Sequence, residues 1–238
     1  MSTTGPIGAS GSIPHFTADN KLAEAVTPDG GRLILYEHGR DFCVRLNGLQ
    51  LMHSAAAASE LLLGEVAVES LSAVAAPRIL IGGLGLGFTL RSVLQRVGPR
   101  AAVQVAELVL EVVAWNRRFL SRLNGALLDD LRVEILLADV WQPITCAGRA
   151  CYDAVLLDVD NGPRALVRKQ NARLYSRTGL KRIAAALKPG GRAVFWSADP
   201  APGFAARLAD AGFRVKTIPA RFCPTAQHCA GAIYAADR

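Results

Sequence analysis

A glycine-rich turn and a carboxylate that follows it are the residues of this sequence whose types and spacing most clearly allow chemistry. The turn is the Gly-Leu-Gly-Leu-Gly run at residues 83–87, directly after a short apolar segment, and Glu107 ends the next apolar segment. Glycines let a backbone turn tightly and approach a ligand that a Cβ would exclude. A carboxylate at the end of the neighbouring strand can accept two hydrogen bonds from a ribose 2′,3′-diol. The two features together predict one wall of a nucleoside site.

Each of these features also has a purely structural explanation. Glycine-rich turns serve tight packing of a strand against a helix, and the helix dipole favours an acid such as Glu107 at a helix N-terminus. The glycine spacing is G-x-G-x-G rather than G-x-G-x-x-G, and no Lys-Ser or Lys-Thr pair follows it. The sequence therefore excludes a phosphate-binding P-loop and disfavours a dinucleotide site.

Two further apolar segments end in carboxylates. Asp139 follows residues 133–137 and offers an acceptor for an adenine amino group, with Trp141 as an aromatic wall. Asp158 follows residues 154–157. Because the carboxyl ends of parallel strands meet at one edge of a sheet, polar residues at four successive strand ends favour a shared site over coincidence.

The elements that must position these residues alternate between strands and helices from residue 77 onward. Several strands are apolar throughout, as expected when helices cover both faces of a parallel sheet. Strands are predicted at 78–81, 102–107, 133–137, 154–157, 193–197, 214–218 and 231–235, and helices at 89–97, 110–123, 176–187 and 204–211. This order predicts an α/β fold with a doubly wound, mostly parallel, seven-stranded sheet. The last two strands lack a helical pattern between them, so we expect them to form an antiparallel edge pair.

The chain before this sheet has a different organisation. Its strand-like segments lie at 32–37, 42–46 and 49–52. Asn47 and Gly48 join the last two, and both residue types tolerate the positive φ of a tight hairpin. An alanine- and leucine-rich helix or broken pair of helices is expected at 54–74. We therefore expect a flexible, Gly- and Ser-rich tail over 1–20, a small antiparallel β meander and helix over 21–75, and a ligand-binding α/β domain over 76–238.

Composition limits the class of protein and its cofactors. The chain has 238 residues and is 51% apolar, which suits a globular α/β protein. No apolar run reaches the roughly 20 residues that span a bilayer, and no signal peptide opens the chain, so a cytoplasmic location is expected. The five cysteines include no C-x-x-C pair. The tight group of Cys223, His228 and Cys229 suits ordinary loop or strand residues better than a metal site, and no metal is predicted.

The formal charge of +7 raises the question of nucleic acid. The densest basic stretch, residues 164–182, repeats mainly at helical spacing and has no interleaved aromatics. This pattern favours a solvated helix face over a nucleic-acid track, and an anionic small substrate is a third explanation. The expected partner is a small molecule.

These motifs together resemble the S-adenosylmethionine-dependent methyltransferase fold and, within it, the spermidine synthase-like branch. The resemblance runs from about residue 33 to residue 235 and includes the meander and the Lys-Pro-Gly-Gly turn before the strand at 193–197. It implies S-adenosyl-L-methionine as cofactor and a homodimer formed through the meander. It implies the following contacts, from the methionine part of the cofactor to its adenine: Gly83, Gly85 and Gly87, then Asp158 beside the sulfonium, Glu107 with Leu108 at the ribose, and Asp139 with Val140 at the adenine.

The sequence also departs from that branch. Aminopropyltransferases of this kind usually carry, within the glycine turn, an aspartate that binds the amine of decarboxylated S-adenosylmethionine, whereas this turn has Leu84 and Leu86. Their proton-abstracting aspartate lies in an Asp-Ser/Thr-x-Asp-Pro loop that is longer than the loop at 158–163 of this chain. The segment at 52–60 contributes one carboxylate, Glu60, so the acceptor pocket is expected to be small and largely apolar. These differences favour the intact cofactor over its decarboxylated form.

All reactions of this cofactor are in-line displacements at a carbon next to a sulfonium, and they need a nucleophile with a free lone pair. Asp160 and Asn161 could orient an attacking amine, and Asp160 could take its proton as general base; an Asx turn explains the same residues. Tyr175 could reach the cavity and present an aromatic face to a cation, or pack in the core. With Asp158, these form the candidate catalytic set.

Three functions from different classes follow. The first expectation is methyl transfer to nitrogen or oxygen of a small molecule. The second is attack on the three-carbon arm of the cofactor, by aminopropyl transfer, aminocarboxypropyl transfer or cyclisation, each of which releases methylthioadenosine. The third is a non-catalytic or nucleic-acid-binding module that keeps the cofactor fold.

Overall fold

A computed structural model describes residues 20–146, 148–159, 161–163, 168–201, 203–221 and 231–238 of the chain. Asp160, most of the expected tail and the Cys223, His228 and Cys229 group lie outside these residues. No helix among the described residues is long and apolar enough to cross a membrane.

The chain begins with a four-stranded antiparallel sheet. Its strands, in both chain order and spatial order, are β1 (Asn20–Val26), β2 (Arg32–His38), β3 (Asp41–Leu46) and β4 (Leu49–His53). The predicted hairpin is confirmed: Asn47 and Gly48 have φ values of +51° and +84°. The Asn47 side chain also accepts a hydrogen bond of 2.8 Å from the Arg32 N–H, which ties the turn to the start of β2.

Strand β1 was not predicted from the sequence. Its pairing with β2 is irregular between Lys21 and Ala23, where the register shifts. Such a bulge breaks the two-residue alternation by which a half-buried strand is identified.

The rest of the chain alternates between strands and helices as predicted. After α1 (Ala58–Val68), the elements are β5 (Arg78–Gly82), α2 (Phe88–Leu94), β6 (Ala102–Glu107), α3 (Leu110–Arg118), α4 (Ser121–Asn124), β7 (Val133–Leu137), α5 (Trp141–Cys146), β8 (Tyr152–Leu157), α6 (Arg177–Ala186), β9 (Leu187–Ser197), α7 (Phe204–Asp210), β10 (Arg214–Ala220) and β11 (Gly231–Asp237). Short 3-10 turns at Ser54–Ala56 and Glu69–Leu71 flank α1, so the helical region at 54–74 is a broken one.

The large sheet has the order β10-β11-β9-β8-β5-β6-β7. Strands β5 to β9 pair in parallel, and β11 lies between β9 and β10 and is antiparallel to both. This confirms the doubly wound, mostly parallel α/β fold with seven strands, and it confirms the antiparallel edge pair.

Two helical differences have local causes. Residues 110–123 form two helices instead of one, because the chain bends after α3 and buries Leu120 at the bend. Helix α5 was not predicted because it is short and contains Pro143. Proline is tolerated there because the first turn of a helix has no intrahelical acceptor for its missing N–H.

The core lies on both faces of the large sheet. Ile79 and Ile81 of β5 pack on the face that also carries α1 to α3 and the small sheet, and Leu80 between them packs on the face that carries α6 and α7. All three side chains are fully buried. This explains why the strand is apolar throughout, since helices cover it on both sides.

The close crossing of α1 and α2 brings Glu60 and Thr89 near each other. A Cβ at Gly64 of α1 would lie 2.6 Å from Ser92 Cβ and 2.9 Å from the carbonyl oxygen of Thr89, both on α2. The Ser92 hydroxyl donates a hydrogen bond of 2.6 Å to the Leu61 carbonyl. The close approach holds Thr89 within 3.4 Å of the carbonyl of Glu60.

Replacing Gly64 by valine is expected to destabilise the protein by about 2–3 kcal/mol, because two packed helices must separate to admit the side chain. Urea unfolding followed by circular dichroism measures the change. Gly98→Val is the control, since Gly98 is exposed and a Cβ there meets no atom within 4 Å. Equal stability of the two variants would show that the helix crossing does not depend on Gly64.

Candidate functional site

The carboxyl ends of four neighbouring strands and the small sheet enclose one cavity of about 730 Å³. The strands are β8, β5, β6 and β7, and the residues that follow them line one wall. Side chains of the small sheet, including Gln50 and Met52, line the opposite wall. The volume is within the range of small-molecule sites. The structure therefore brings Asp158, Glu107 and Asp139 to one cavity, as the sequence predicted.

The three glycines of the turn after β5 have left-handed φ values of +87°, +52° and +89° at Gly83, Gly85 and Gly87. A Cβ at Gly83 would overlap the carbonyl oxygen of Asp158, and one at Gly85 would lie 2.9 Å from Met52 Sδ. Gly83 and Gly85 line the cavity. The turn therefore needs glycine for close packing against the protein itself, in addition to any approach of a ligand.

Gly87 has a different environment from the one expected. It is the N-cap of α2, and a Cβ there would lie 2.9 Å from Asn124 Nδ2 and 3.0 Å from Asn116 Oδ1. It is not among the described residues that line the cavity. The expectation that Gly87 faces the methionine part of the cofactor is thus not met, because the turn directs this residue toward α3 and α4.

Glu107 lies at the end of β6 with its carboxylate held by the backbone. Oε2 accepts a hydrogen bond of 2.9 Å from the Leu84 N–H, and Oε1 accepts bonds of 2.8 Å from the N–H groups of Leu108 and Val109. Burial raises the pKa of Glu107, although these backbone hydrogen bonds oppose the rise. The carboxylate thus joins the glycine turn to the start of α3, and it lines the cavity beside Leu108. Glu107 thus has a structural role at the start of α3, and its contact with a ribose stays a prediction.

Asp139 after β7 is part of an ionic cluster at the cavity. Its Oδ2 lies 2.6 Å from Arg168 Nη1 and 2.7 Å from Arg173 Nη2, and its Oδ1 accepts a bond of 2.9 Å from the Trp141 N–H. Arg168 also contacts Asp29, 3.1 Å away in the turn after β1. Burial opposes ionisation of Asp139, but the Trp141 N–H and the two arginines outweigh it and lower the pKa of Asp139.

This cluster changes the interpretation of the basic stretch. Arg177, Lys181 and Arg182 of α6 are exposed, which fits the predicted solvated face. Arg168 lines the cavity, however, and links the small sheet to the end of β7 through Asp29 and Asp139. The local sequence does not predict this contact, because Arg168 and its two partners come from three distant parts of the chain.

Asp158 after β8 shares its side of the cavity with Glu60 of α1. The Thr89 hydroxyl donates a hydrogen bond of 2.8 Å to Asp158 Oδ2, and the Ser59 hydroxyl donates one of 2.8 Å to Glu60 Oε2. Burial raises the pKa of Asp158 to about 6. Burial and, next, the charge of Asp158 raise the pKa of Glu60 to about 7. Near neutral pH this end of the cavity therefore carries negative charge, although burial makes the ionisation of both carboxyl groups unfavourable.

Other predicted residues are divided between the cavity and the core. Asn161 and Val140 line the cavity, and the Asn161 carbonyl accepts a bond of 3.0 Å from the Ala198 N–H. Trp141, expected as an aromatic wall, is not among the described lining residues; Arg173 lies 5.3 Å from its ring centroid. Asn171 lines the cavity without having been foreseen, and its side chain donates to the Val159 carbonyl at 3.3 Å.

Tyr175 does not line the described cavity, contrary to the expectation that it reaches the acceptor. It is 2% exposed, and its ring centroid lies 5.8 Å from that of Phe204 and 6.4 Å from that of Phe195. Ser176 caps α6, so Tyr175 directly precedes the cap and shares a core cluster with Leu180. This spacing is typical of a hydrophobic staple at a helix start, which places Tyr175 in the core.

No group of three or more His, Cys, Asp or Glu side chains suited to a metal ion occurs among the described residues. The chemistry available in this cavity is that of carboxylates, amides, hydroxyls, the imidazole of His53, the thioether of Met52 and one paired arginine.

The fold has solved relatives. A spermidine synthase in complex with the transition-state analogue AdoDATO superposes with a TM-score of 0.74 at 19% identity, over 92% of this chain and 73% of the other. Spermidine synthase from Thermotoga maritima gives a TM-score of 0.71 at 18% identity, over 92% and 72%. A probable spermidine synthase from Corynebacterium glutamicum gives 0.64 at 16% identity, over 93% and 80%.

Sequence comparison finds shorter matches, and no family model matches the chain. Polyamine aminopropyltransferase 2 from Pseudomonas aeruginosa is 36% identical over 117 residues, which are 48% of this chain and 31% of the relative. Polyamine aminopropyltransferase from Aeropyrum pernix is 30% identical over 118 residues, 48% of this chain and 35% of the relative. The matches thus span about a third of each curated relative. The fold of this chain is that of the spermidine synthases.

Proposed function

We propose that the protein is a transferase that binds a sulfonium derivative of adenosine, moves the three-carbon arm of that donor to an amine, and releases methylthioadenosine. The observation that carries this proposal is the position of Asp158, which Thr89 holds in the cavity directly beside the glycine turn. The curated relatives, named as aminopropyltransferases, support transfer of the arm rather than the methyl group. Methyl transfer, the first expectation from the sequence, has no comparable support.

The donor is proposed to lie along the strand ends. Gly83 and Gly85 would contact the arm, Glu107 the ribose hydroxyls, and Asp139 the adenine amino group. Leu108 and Val140, which line the same cavity, supply apolar surface for the adenine ring. Glu107 and Asp139 are held in place by backbone N–H groups before any ligand arrives, which lowers the ordering cost of binding.

The reaction needs little covalent help from the protein. The amine lone pair attacks the arm carbon next to sulfur, the carbon–sulfur bond breaks, and its electrons neutralise the sulfonium. The attacking amine must first lose a proton, and Asp158 is proposed to accept it. A base whose pKa is about 6 suits this role, because it is largely ionised at neutral pH and still binds a proton during transfer. Asn161 is proposed to orient the amine; Asp160 keeps its sequence-based assignment as a second acceptor.

The nucleoside product decides between the functions. The purified protein is incubated with S-adenosylmethionine or its decarboxylated form, with and without putrescine and other small amines, and the products are separated by chromatography and mass spectrometry. Methylthioadenosine above a protein-free control is expected. S-adenosylhomocysteine would instead establish methyl transfer and overturn the proposal.

The homodimer remains part of the proposal. Val26 of β1 and Leu49 of β4 are 65% and 77% exposed on the small sheet, so apolar surface is present there for a second copy to cover.

A further inference from the structure

We propose that Glu60 determines which donor this cavity accepts: its carboxylate pairs with the terminal ammonium of the three-carbon arm and, together with Asp158, rejects a donor whose arm still carries a carboxylate. This inference rests on the proposed function and assigns the donor as decarboxylated S-adenosylmethionine. It reverses the expectation drawn from Leu84 and Leu86, because the acid absent from the glycine turn is supplied by helix α1.

Glu60 is fixed where it lines the cavity. It lies in the first turn of α1, and the Ser59 hydroxyl binds its Oε2. Gly64, one helical turn further on the same face, packs against α2 and so sets the distance of Glu60 from Thr89. Thr89 in turn binds Asp158. Thr89 therefore contacts both the backbone carbonyl of Glu60 and the carboxylate of Asp158, and both acidic residues line the cavity.

Among the residues that the structure describes, the two carboxylates on this side of the cavity have no ion-pair partner. No arginine or lysine forms an ion pair with Glu60 or Asp158 among the residues that the structure describes. The one guanidinium of the described cavity lining belongs to Arg168, which pairs with Asp29 and Asp139. Two carboxylates in a partly dehydrated site repel each other, and a bound cation relieves that repulsion.

The same charges disfavour the intact cofactor. S-adenosylmethionine presents an ammonium and a carboxylate on one terminal carbon, and that carboxylate would be the third anion beside Glu60 and Asp158. Leu84 and Leu86 contribute no charge and are only 4% and 3% exposed. Discrimination between the two donors must then come from the acids outside the turn.

Calorimetric titration of wild type and Glu60→Gln tests this with three ligands: decarboxylated S-adenosylmethionine, S-adenosylmethionine and methylthioadenosine. Glutamine keeps the shape and can still accept from Ser59. Because the variant loses a charged hydrogen-bond partner, its affinity for the decarboxylated donor is expected to fall about 10- to 100-fold. Methylthioadenosine lacks the ammonium, so the affinity for it should change less than about threefold. The affinity for S-adenosylmethionine should fall less than the affinity for the decarboxylated donor.

Glu65→Gln is the matched control, because Glu65 lies on the same helix with its side chain 56% exposed and pairs with Arg96 at the surface. It should leave all three affinities unchanged. If Glu60→Gln lowered the affinities for methylthioadenosine and for the decarboxylated donor equally, Glu60 would only support the structure, and the inference would be wrong. It would also be wrong if the variant raised only the KM for the amine. If the wild type bound none of the three nucleosides, the proposed function itself would be wrong as well.

Discussion

Replacing Asp158 by asparagine is expected to lower the rate of methylthioadenosine release by about 10²- to 10⁴-fold, the usual range for loss of a general base. Asparagine has nearly the same shape and can accept the Thr89 hydrogen bond through its amide oxygen, but it cannot take the proton of the amine. The rate is measured with decarboxylated S-adenosylmethionine and the amine that gives product with wild type. The affinity for methylthioadenosine, followed by calorimetry, should stay within about fivefold.

The pH dependence of stability separates this catalytic loss from unfolding. The pKa of Asp158 rises from its ordinary 3.8 to about 6, so the folded state binds this proton more tightly than the unfolded chain does. Its contribution to stability is therefore full below about pH 4 and is lost as the pH rises to about 6. Above that pH the ionised Asp158 weakens the fold, and Asp158→Asn should be at least as stable as wild type at pH 8 in urea unfolding.

Asp210→Asn provides the matched control, because it makes the same chemical change at an exposed position near the end of α7. Its activity should equal that of wild type. A residual activity of Asp158→Asn within threefold of wild type would exclude Asp158 as the base. A loss of activity accompanied by loss of methylthioadenosine binding would assign Asp158 to the binding of the nucleoside instead.

The parts of the site that were predictable are those that depend on strand order alone. Glu107, Asp139 and Asp158 each follow an apolar segment, and parallel strands place such positions at one edge of the sheet. Strands β6 and β7 have the predicted bounds. Local pattern and one topological rule were sufficient here.

The parts that were not predictable depend on contacts between elements distant in the chain. Glu60 reaches the cavity only because Gly64 and Ser92 allow α1 to cross α2 closely. The small residue four positions after Glu60 is the one signal that could have indicated this, since residues four apart share a helix face. Arg168 meets Asp29 at a separation of 139 residues, for which the sequence offers no pattern.

Tyr175 was misplaced for a different reason. Its position after the loop that follows β8 suggested the cavity, but the helix-start pattern was more informative. A serine cap followed by an apolar residue four positions later predicts that the residue before the cap packs inward. Tyr175, Ser176 and Leu180 follow that pattern, and the structure buries the ring against Phe204.

Replacing Gly83 by alanine is expected to abolish nucleoside binding and to destabilise the protein by about 2–4 kcal/mol, the range for strain and overpacking at one site. The added Cβ would overlap the backbone carbonyl of Asp158, and φ at this position is +87°. A backbone atom cannot move aside alone, so the ends of β5 and β8 must separate. That movement displaces Asp158 from Thr89 and opens the wall on which the donor is proposed to lie.

Gly85→Ala is the informative comparison, because it lies in the same turn and also has a positive φ. Its Cβ would meet Met52 Sδ at 2.9 Å, and a flexible thioether can shift where a carbonyl cannot. We expect a cost of about 1 kcal/mol, near that of a left-handed alanine, with stable folding retained. Unfolding in urea and calorimetric titration with methylthioadenosine distinguish the two roles of the glycines. If Gly83→Ala keeps wild-type stability and loses only binding, the turn needs glycine for the ligand. If Gly83→Ala loses stability and Gly85→Ala does not, the close contact between the ends of β5 and β8 is the reason that residue 83 must be glycine.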